Sequence, residues 1–228
     1  MSSMCYYTDA DTVSTTSREE QVMFKGTPKI IAQRREEIVN ACEQLYQTMS
    51  FKDITLKEIS NVTSFSRPTI YNYFHTKEEI FLALFECEYD RWNTDLDHIL
   101  SSDQEYTAEQ LADLISESLE RRAQLLKLLS MNNYDMEQNS RGERLVSFKK
   151  AYGKSLELFR EILRKHCPEM SDTEVGQIMY VFFPFMFGIY PYAEVTAKQK
   201  EAMAEAGVDY QYQSIYEITY NCLIRLLK

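Results

Sequence analysis

The sequence predicts an all-α protein, and three observations lead to this fold class. Six glycines and five prolines in 228 residues are too few for the many tight turns of an all-β chain. Apolar residues recur at spacings of three and four along most of the chain, as they do on one face of an α-helix. Several of these segments begin with a Ser or Thr three residues before a Glu or Gln, which is the pattern of a helix capping box. A chain of this length can bury a full core, either as one long helical domain or as two smaller domains.

The N-terminal segments are predicted to be an arm followed by a helix. Residues 1–24 show no sustained period and are rich in Ser, Thr and Asp, which predicts a flexible N-terminal arm. Thr27 and Pro28 are a cap and a first-turn proline, and they predict a helix that runs to about Met49. Arg34 and Arg35 lie off its apolar stripe, which favours solvated surface over DNA contact. The stripe consists of Ile31, Ile38, Ala41, Cys42, Leu45, Tyr46 and Met49.

Residues 55–77, TLKEISNVTSFSRPTIYNYFHTK, are predicted to form two short helices separated by a turn. Thr55 caps the first helix, and a polar pair then breaks the chain. Ser66 starts the second helix with Pro68 in its first turn, where a missing backbone N–H costs nothing. The apolar residues predicted on one side of the first helix are Leu56, Ile59 and Val62.

The second of these helices has an outer face that suits DNA better than solvent. Ile70 and Phe74 lie four residues apart and are predicted to point inward. The other side carries hydroxyls, an amide, rings and few charges, which can read base edges while basic residues hold the phosphate backbone. The predicted DNA contacts are Thr55, Ser66, Arg67, Thr69, Tyr71, Asn72, Tyr73 and Lys77.

These contacts are predicted to divide into two roles. Thr69 and Asn72 are placed to read bases, because a hydroxyl and an amide carry both donors and acceptors. Tyr71 and Lys77 are expected to hold phosphate groups, which position a protein without carrying sequence information. Arg67 suits either role.

The same residues resemble the DNA-binding domain of the TetR family of bacterial regulators. That family shows, in order, a capping threonine, a Ser-Arg-x-Thr-hydrophobe-Tyr-x-x-Phe recognition helix and a following Thr-Lys-Glu-Glu. The string SRPTIYNYFHTKEEIF at residues 66–81 fits throughout, and the match extends upstream to Thr27. Phe51 resembles the aromatic residue that closes the three-helix core of the family. A histidine is frequent in the family where Tyr73 stands here.

The charge of the chain is divided unequally. The net charge of −10 is unusual for a DNA-binding protein, but residues 25–77 carry eight Lys and Arg against five Asp and Glu. This region therefore has a charge of +3, and the remainder carries −13. Such an asymmetry is typical of a phosphate-facing head on an acidic body that repels DNA from its other surfaces.

The segments beyond residue 77 are predicted to form a series of helices. A capping box from Thr76 to Glu79 starts a long helix, and a second box from Thr107 to Gln110 starts another. Residues 121–131 are expected to form a helix, and residues 132–140 a loop. A long helix then ends before Pro168, and a third box spans Ser171 to Glu174. Residues 193–209 are polar and loop-like with a short helix, and a final helix covers residues 215–226.

The most apolar stretch of the chain is VGQIMYVFFPFMFGIYPY at residues 175–192. One interpretation is a helix that forms core and dimer interface. The other is that this helix and part of the preceding one line a ligand cavity, with polar tips on an apolar wall. The two interpretations are compatible, because opposite faces of one helix can serve both. The predicted ligand-binding residues are Phe148, Tyr152, Tyr180, Phe183, Met186, Phe187 and Tyr190.

The sequence gives no support for a catalytic or metal site. Its three histidines are far apart and lack the spacing of metal ligands, and no glycine-rich phosphate loop or nucleophile elbow is present. No enzyme activity, no metal and no cofactor are therefore predicted. Five scattered cysteines suit a reducing compartment, and the N-terminus lacks the order of a signal peptide. No apolar run reaches the length needed to span a bilayer, so a cytoplasmic protein without membrane contact is expected.

The resemblance implies a function and a domain organisation. It implies a helix-turn-helix DNA-binding domain at residues 25–77 and a helical regulatory and dimerisation domain at residues 78–228. The final helix would pair with the helix at residues 171–190 in a four-helix dimer interface. A homodimer would bind a palindromic operator in double-stranded DNA as a repressor, and an apolar or aromatic small-molecule effector would release it. An alternative on the same fold is a coactivator or scaffold that acts through protein partners without reading DNA.

Overall fold

All regular elements in the residues that the structure describes are helices. The structure is a computed structural model, and it describes residues 27–131 and 133–228. The all-α prediction is confirmed, whereas the predicted arm at residues 1–24 lies outside the described residues. The helices are α1 (Pro28–Thr48), α2 (Leu56–Asn61), α3 (Arg67–Tyr71), α4 (Lys77–Ser101), α5 (Ala108–Glu120), α6 (Ala123–Leu129), α7 (Asn133–Gln138), α8 (Gly142–His166), α9 (Asp172–Ala193), α10 (Ala197–Glu205) and α11 (Ile215–Leu226).

The chain folds into two compact units. The first contains the described residues up to Cys87 together with Tyr134–Phe148, and the second contains Glu88–Asn133 and Lys149–Lys228. Helices α4 and α8 contribute residues to both. The first unit is thus larger than the DNA-binding domain predicted at residues 25–77, because it includes the first turns of α4 and α8. A functional boundary at residue 77 stays a prediction.

The core of the first unit forms where the apolar stripe of α1 meets the start of α4. Ile38 and Cys42 are fully buried, and the Tyr46 ring packs edge-on against Phe81 with ring centroids 5.2 Å apart. Phe51 lies against the same ring at 4.7 Å, so it closes this core as the resemblance implied. Three residues of the predicted stripe are only half-buried, namely Ile31, Leu45 and Met49.

The core of the second unit is aromatic. Helix α5 packs against α11, and α9 packs against both α6 and α11. Phe159 stacks on Phe182 with ring centroids 5.0 Å apart, and Trp92 lies 6.0 Å from Phe183. The capping boxes predicted at Thr107 and Ser171 are confirmed, and Ser214 forms one more.

Two predictions about connecting segments need correction. The expected loop at residues 132–140 contains α7, a polar helix without an apolar period that is held by the buried side chain of Met136. The helix expected at residues 121–131 is shorter, because Arg122 is its N-cap and Ser130 its C-cap. The short helix expected within residues 193–209 is α10, which has no buried residue.

Candidate DNA-binding surface

The first helix of the helix-turn-helix begins at a threonine cap. The Thr55 side chain accepts hydrogen bonds from the backbone N–H groups of Lys57 and Glu58 at 3.2 and 3.5 Å. Its hydroxyl also donates to the Glu58 carboxylate. Ile59 is fully buried as predicted, but Val62 is 49% exposed because α2 has already ended at Asn61. The cap thus fixes where α2 begins, and it occupies the hydroxyl that was predicted to meet DNA.

The turn between α2 and α3 is held by α1. The backbone N–H and the hydroxyl of Ser64 both donate to Glu37 Oε1, at 2.8 and 2.7 Å. Within the turn, the Phe65 N–H donates to Thr63 Oγ1 at 3.3 Å. A carboxylate that accepts two hydrogen bonds from one residue restricts the turn strongly. Sequence inspection missed Glu37, because its partner lies 27 residues away.

Helix α3, the predicted recognition helix, is a little over one turn long. It is preceded by Ser66, whose side chain makes no capping bond and instead pairs with Thr69 Oγ1 at 2.9 Å. Ile70 is fully buried, which turns the opposite side of the helix outward. That outer side holds four exposed predicted contacts, and Thr69 is half-buried beside them. The exposed four are Ser66, Arg67, Tyr71 and Asn72.

Tyr73 lies inside this unit rather than on the outer face. Its side chain is 5% exposed, and its hydroxyl accepts a hydrogen bond from Arg34 Nη1 at 3.0 Å. Arg34 also lies 5.9 Å from the centre of the Phe65 ring, and Arg35 lies 5.5 Å from that of Phe74. The expectation that both arginines form solvated surface therefore needs correction. A DNA contact by Tyr73 stays a prediction, and its hydroxyl already has an internal partner.

Lys77 supports the fold of the helix-turn-helix. Its Nζ donates to the carbonyl oxygens of Phe51 and Ile54 at 2.7 and 3.2 Å, and it lies 4.1 Å from the centre of the Phe51 ring. The side chain is half-buried. These bonds hold the segment between α1 and α2. Phosphate contact by Lys77 stays a prediction, since its ammonium group is already directed to these carbonyls.

The start of α4 has half of the predicted capping box. The Glu79 N–H donates to Thr76 Oγ1 at 3.2 Å, as in a capping box. The Glu79 carboxylate, however, accepts from the His75 N–H at 2.9 Å and from Arg141, a residue 62 positions away. The Thr76 hydroxyl donates to the Asn139 carbonyl at 2.9 Å. Sequence inspection missed Arg141, which lies in a segment predicted to be outside this domain.

The seven predicted ligand-binding residues are divided between the two compact units and differ in burial. Phe148 belongs to the first unit, where its ring lies 4.9 Å from Phe85. The other six belong to the second unit. Phe183 and Met186 are buried on the inner face of α9, while Tyr180 and Phe187 are 86% and 43% exposed on its outer face. Phe183 is three residues from Tyr180 and four from Phe187, so the buried and exposed positions are neighbours on the helix surface. Tyr152 and Tyr190 are half-buried, and ligand contact stays a prediction.

Residues 27–131 and 133–228 contain neither a candidate metal site nor a single helix that could span a membrane. No group of three or more His, Cys, Asp or Glu side chains in this part of the chain is arranged to hold a metal ion. Within the same ranges, no single helix is long and apolar enough to cross a membrane. Helices α9 and α10 reach that composition only together, and they are bent by 81° at their junction.

Several solved structures share this fold. A TetR-family transcriptional regulator from Mesorhizobium loti superimposes with a TM-score of 0.57 at 15% identity, over 89% of this chain and 98% of that one. The fatty acid degradation regulator FadR from Bacillus halodurans gives 0.54 at 15% identity, over 90% and 97%. FadR from Thermus thermophilus, a TetR-family repressor in complex with lauroyl-CoA, gives 0.54 at 21% identity, over 85% and 93%. At these identities the similarity shows a common fold.

Family models match most of the sequence. A model described as bacterial regulatory proteins, tetR family, matches residues 38–84, which include the whole helix-turn-helix. A model of the tetracyclin repressor-like C-terminal domain matches residues 86–211. No curated protein matches the sequence. Since the C-terminal model alone spans more than half of the chain, these matches show that the protein belongs to the TetR family of bacterial regulators.

Proposed function

We propose that this chain is a sequence-specific DNA-binding repressor that acts as a homodimer on a palindromic operator and is released by a small-molecule ligand. The observation that carries the proposal is the outer face of α3. Arg67, Tyr71 and Asn72 are exposed there on a helix whose inner residue, Ile70, is fully buried. A helix fixed in this way can present its outer side chains to the major groove.

The charge distribution supports the same proposal. Residues 25–77 carry a net charge of +3 on a chain whose total is −10. Basic side chains attract the phosphate backbone at long range, and an acidic remainder discourages binding through other surfaces. Arg67, Lys52 and Lys57 are exposed basic residues of this region. A role in the bacterial cytoplasm, where DNA is accessible, follows from the proposal.

A homodimer is supported by an apolar stripe on α9. Tyr180, Val181 and Phe187 are 86%, 50% and 43% exposed, and the exposed Pro184 lies between them. These residues recur at intervals of three and four, so they form one continuous side of the helix. An exposed apolar stripe of this kind is typical of a surface that another chain covers. A two-fold dimer would place two copies of α3 on two symmetric half-sites.

The inner side of α9 supports an apolar or aromatic effector. The Phe183 ring lies 6.0 Å from Tyr152 and 5.6 Å from Phe159, so aromatic rings surround this part of the second unit. One structural neighbour was solved with lauroyl-CoA, whose acyl chain is apolar. Release requires that the ligand bind the DNA-free conformation more tightly than the DNA-bound one. A long-chain acyl-CoA is therefore the first effector class to test.

The experiment is selection of duplexes by the purified protein from a random pool, followed by affinity measurements at 50 and 200 mM salt. We expect enrichment of a two-fold symmetric site whose affinity falls roughly tenfold or more between these salt concentrations, because phosphate contacts release counterions. Absence of an enriched site would contradict the proposal and favour the coactivator or scaffold. Titration of the bound duplex with acyl-CoAs of increasing chain length then tests the effector class, and retention of DNA throughout would reject it.

A further inference from the structure

An ion pair joins the first turn of α4 to Arg141, the residue before α8. Arg141 Nε and Nη2 donate to Glu79 Oε1 and Oε2 at 2.7 and 2.9 Å, which makes the pair bidentate. The Arg141 backbone N–H also donates to Glu79 Oε1 at 3.1 Å. All these atoms belong to the first unit, although Arg141 lies far outside the segments α1 to α3 in sequence.

The carboxylate at the centre of this ion pair is well enclosed. Glu79 is 1% exposed, whereas the Arg141 side chain is 34% exposed. A buried carboxylate is costly unless hydrogen-bond donors surround it. Glu79 has four such donors, three from Arg141 and one from the His75 backbone. Replacement of the Arg141 side chain would leave a buried charge with half of these donors and without its ionic partner.

The segment that these donors fix is the C-terminal end of the DNA-reading region. Arg141 Nη2 also approaches the Tyr73 carbonyl at 3.4 Å, and the His75 N–H is bound by the same carboxylate. One residue further on, Thr76 donates to Asn139 in the segment before α8. An isolated helix as short as α3 is unstable in water, so its orientation depends on contacts such as these.

The first turn of α8 contacts the same segment through Phe74. Arg144 lies 5.6 Å from the centre of the Phe74 ring, and Arg35 of α1 lies 5.5 Å from it. Phe74 is fully buried. A guanidinium near an aromatic ring adds a cation–π attraction. The first turn of α8 therefore contacts the residues after α3 through a ring as well as through backbone groups.

We infer that Arg141 is a positioning residue for DNA binding, which holds residues 73–79 and thereby α3 in the orientation that reads the operator. The inference rests on the proposed DNA-binding function, and it assigns a role in that function to a segment outside the predicted DNA-binding domain. Arg141 need not touch DNA for this role. It acts through Glu79, His75 and Tyr73, whose backbone groups follow the residues that face the groove.

Hydrogen exchange and operator affinity together test this role. We expect Arg141→Met to speed amide exchange in peptides covering residues 72–79, to leave exchange in residues 38–46 of α1 unchanged, and to weaken operator binding at least tenfold. Arg141→Lys retains the charge but loses the bidentate guanidinium group, so we expect exchange rates and operator affinity between those of wild type and Arg141→Met. The matched control is Arg164→Met in the last turn of α8, since Arg164 also pairs with two carboxylates, Glu161 and Asp172, in an exposed place. We expect the control to match the wild type.

A double variant keeps the test decisive if a single variant folds poorly. Glu79→Gln combined with Arg141→Met removes both charges, so no buried charge is left unpaired. We expect this double variant to bind the operator about as weakly as Arg141→Met alone, because both changes break the same contact. Wild-type exchange at residues 72–79 in Arg141→Met, or wild-type operator affinity in the double variant, would overturn the inference. The exchange measurement uses no DNA, so it is independent of whether the wild type binds an operator.

Discussion

At the scale of single residues, Tyr71 and Asn72 are adjacent but are expected to respond differently to substitution. Tyr71 is 45% exposed and is predicted to bond to phosphate. We expect Tyr71→Phe to weaken binding about tenfold at every sequence, since one hydrogen bond to a charged group is worth roughly 1.5–3 kcal/mol. Tyr212→Phe is a matched control, because Tyr212 is 44% exposed and lies in the second unit. Unchanged affinity of Tyr71→Phe at all sites would remove Tyr71 from the interface.

Asn72 is exposed at the C-cap of α3 and is predicted to read a base edge. We expect Asn72→Ala to reduce the preference for the operator over single-base variants by about 1–3 kcal/mol at one position, with little change at unrelated sequences. Affinities for a set of singly substituted operators measure this directly. A uniform loss over the whole set would instead place Asn72 on phosphate.

The ionisation of Glu79 makes stability depend on pH. Burial alone would raise the pKa of this carboxyl, but hydrogen bonds from Arg141 and His75 lower the pKa from 4.5 to about 2. A folded-state pKa below the unfolded one stabilises the protein above pH 4.5, and this contribution is lost as the pH falls towards 2. Its size is about 3 kcal/mol. We expect the free energy of unfolding of wild type to exceed that of Glu79→Gln at pH 7, and the difference to shrink at pH 3. A difference that does not change with pH would contradict this account.

At the scale of helices, Thr55 and Ser66 were both predicted to start a helix and to contact DNA, but only Thr55 makes capping hydrogen bonds. The Thr55 side chain accepts two backbone N–H groups at the start of α2, whereas the Ser66 side chain makes no capping bond at the start of α3. We expect Thr55→Ala to lower the free energy of unfolding by about 1 kcal/mol. Ser66→Ala should leave stability nearly unchanged and act on operator affinity. Equal stability losses in denaturant titrations of the two variants would contradict the assignment.

The helices that sequence inspection located best have local signals. Thr107 and Ser171 each precede a Gln or Glu by three residues, and both capping boxes form because their partners are one turn away. Pro28 similarly marks the start of α1. Such signals need no tertiary contact, so one sequence is enough to read them. The exposed face of α3 was also predicted from the sequence, because the apolar Ile70 marks the inner side of this helix.

The features that sequence inspection missed depend on distant partners. Helix α7 has no apolar period, although its Met136 side chain is buried, so it was predicted as a loop. Arg34 lies off the apolar stripe of α1, yet it is half-buried and donates a hydrogen bond to Tyr73, which is 39 positions away. The pair of Glu79 with Arg141 spans 62 positions. No periodicity or cap indicates such contacts, because they arise only when the chain has folded.

At the scale of the whole molecule, α9 is expected to decide the oligomeric state. Val181 is 50% exposed in the apolar stripe that is proposed to meet a second chain. We expect Val181→Lys to convert the dimer into a monomer in light scattering and to weaken operator binding, because a buried lysine without a partner is costly. Val146→Lys is the control, since Val146 is 57% exposed and lies in the first unit. A Val181→Lys protein that remains dimeric would place the interface elsewhere.

The single tryptophan of the sequence gives the two compact units separate optical signals. Trp92 is fully buried in the second unit, where its indole Nε1 donates to Ser118 Oγ at 3.0 Å. Tryptophan emission during melting therefore follows the second unit, whereas the far-ultraviolet circular dichroism of the helices follows both. Units that melt independently would give two different midpoints by these two probes, and units that melt together would give one. An operator duplex that binds only the first unit would then raise the midpoint of the dichroism signal more than that of the fluorescence.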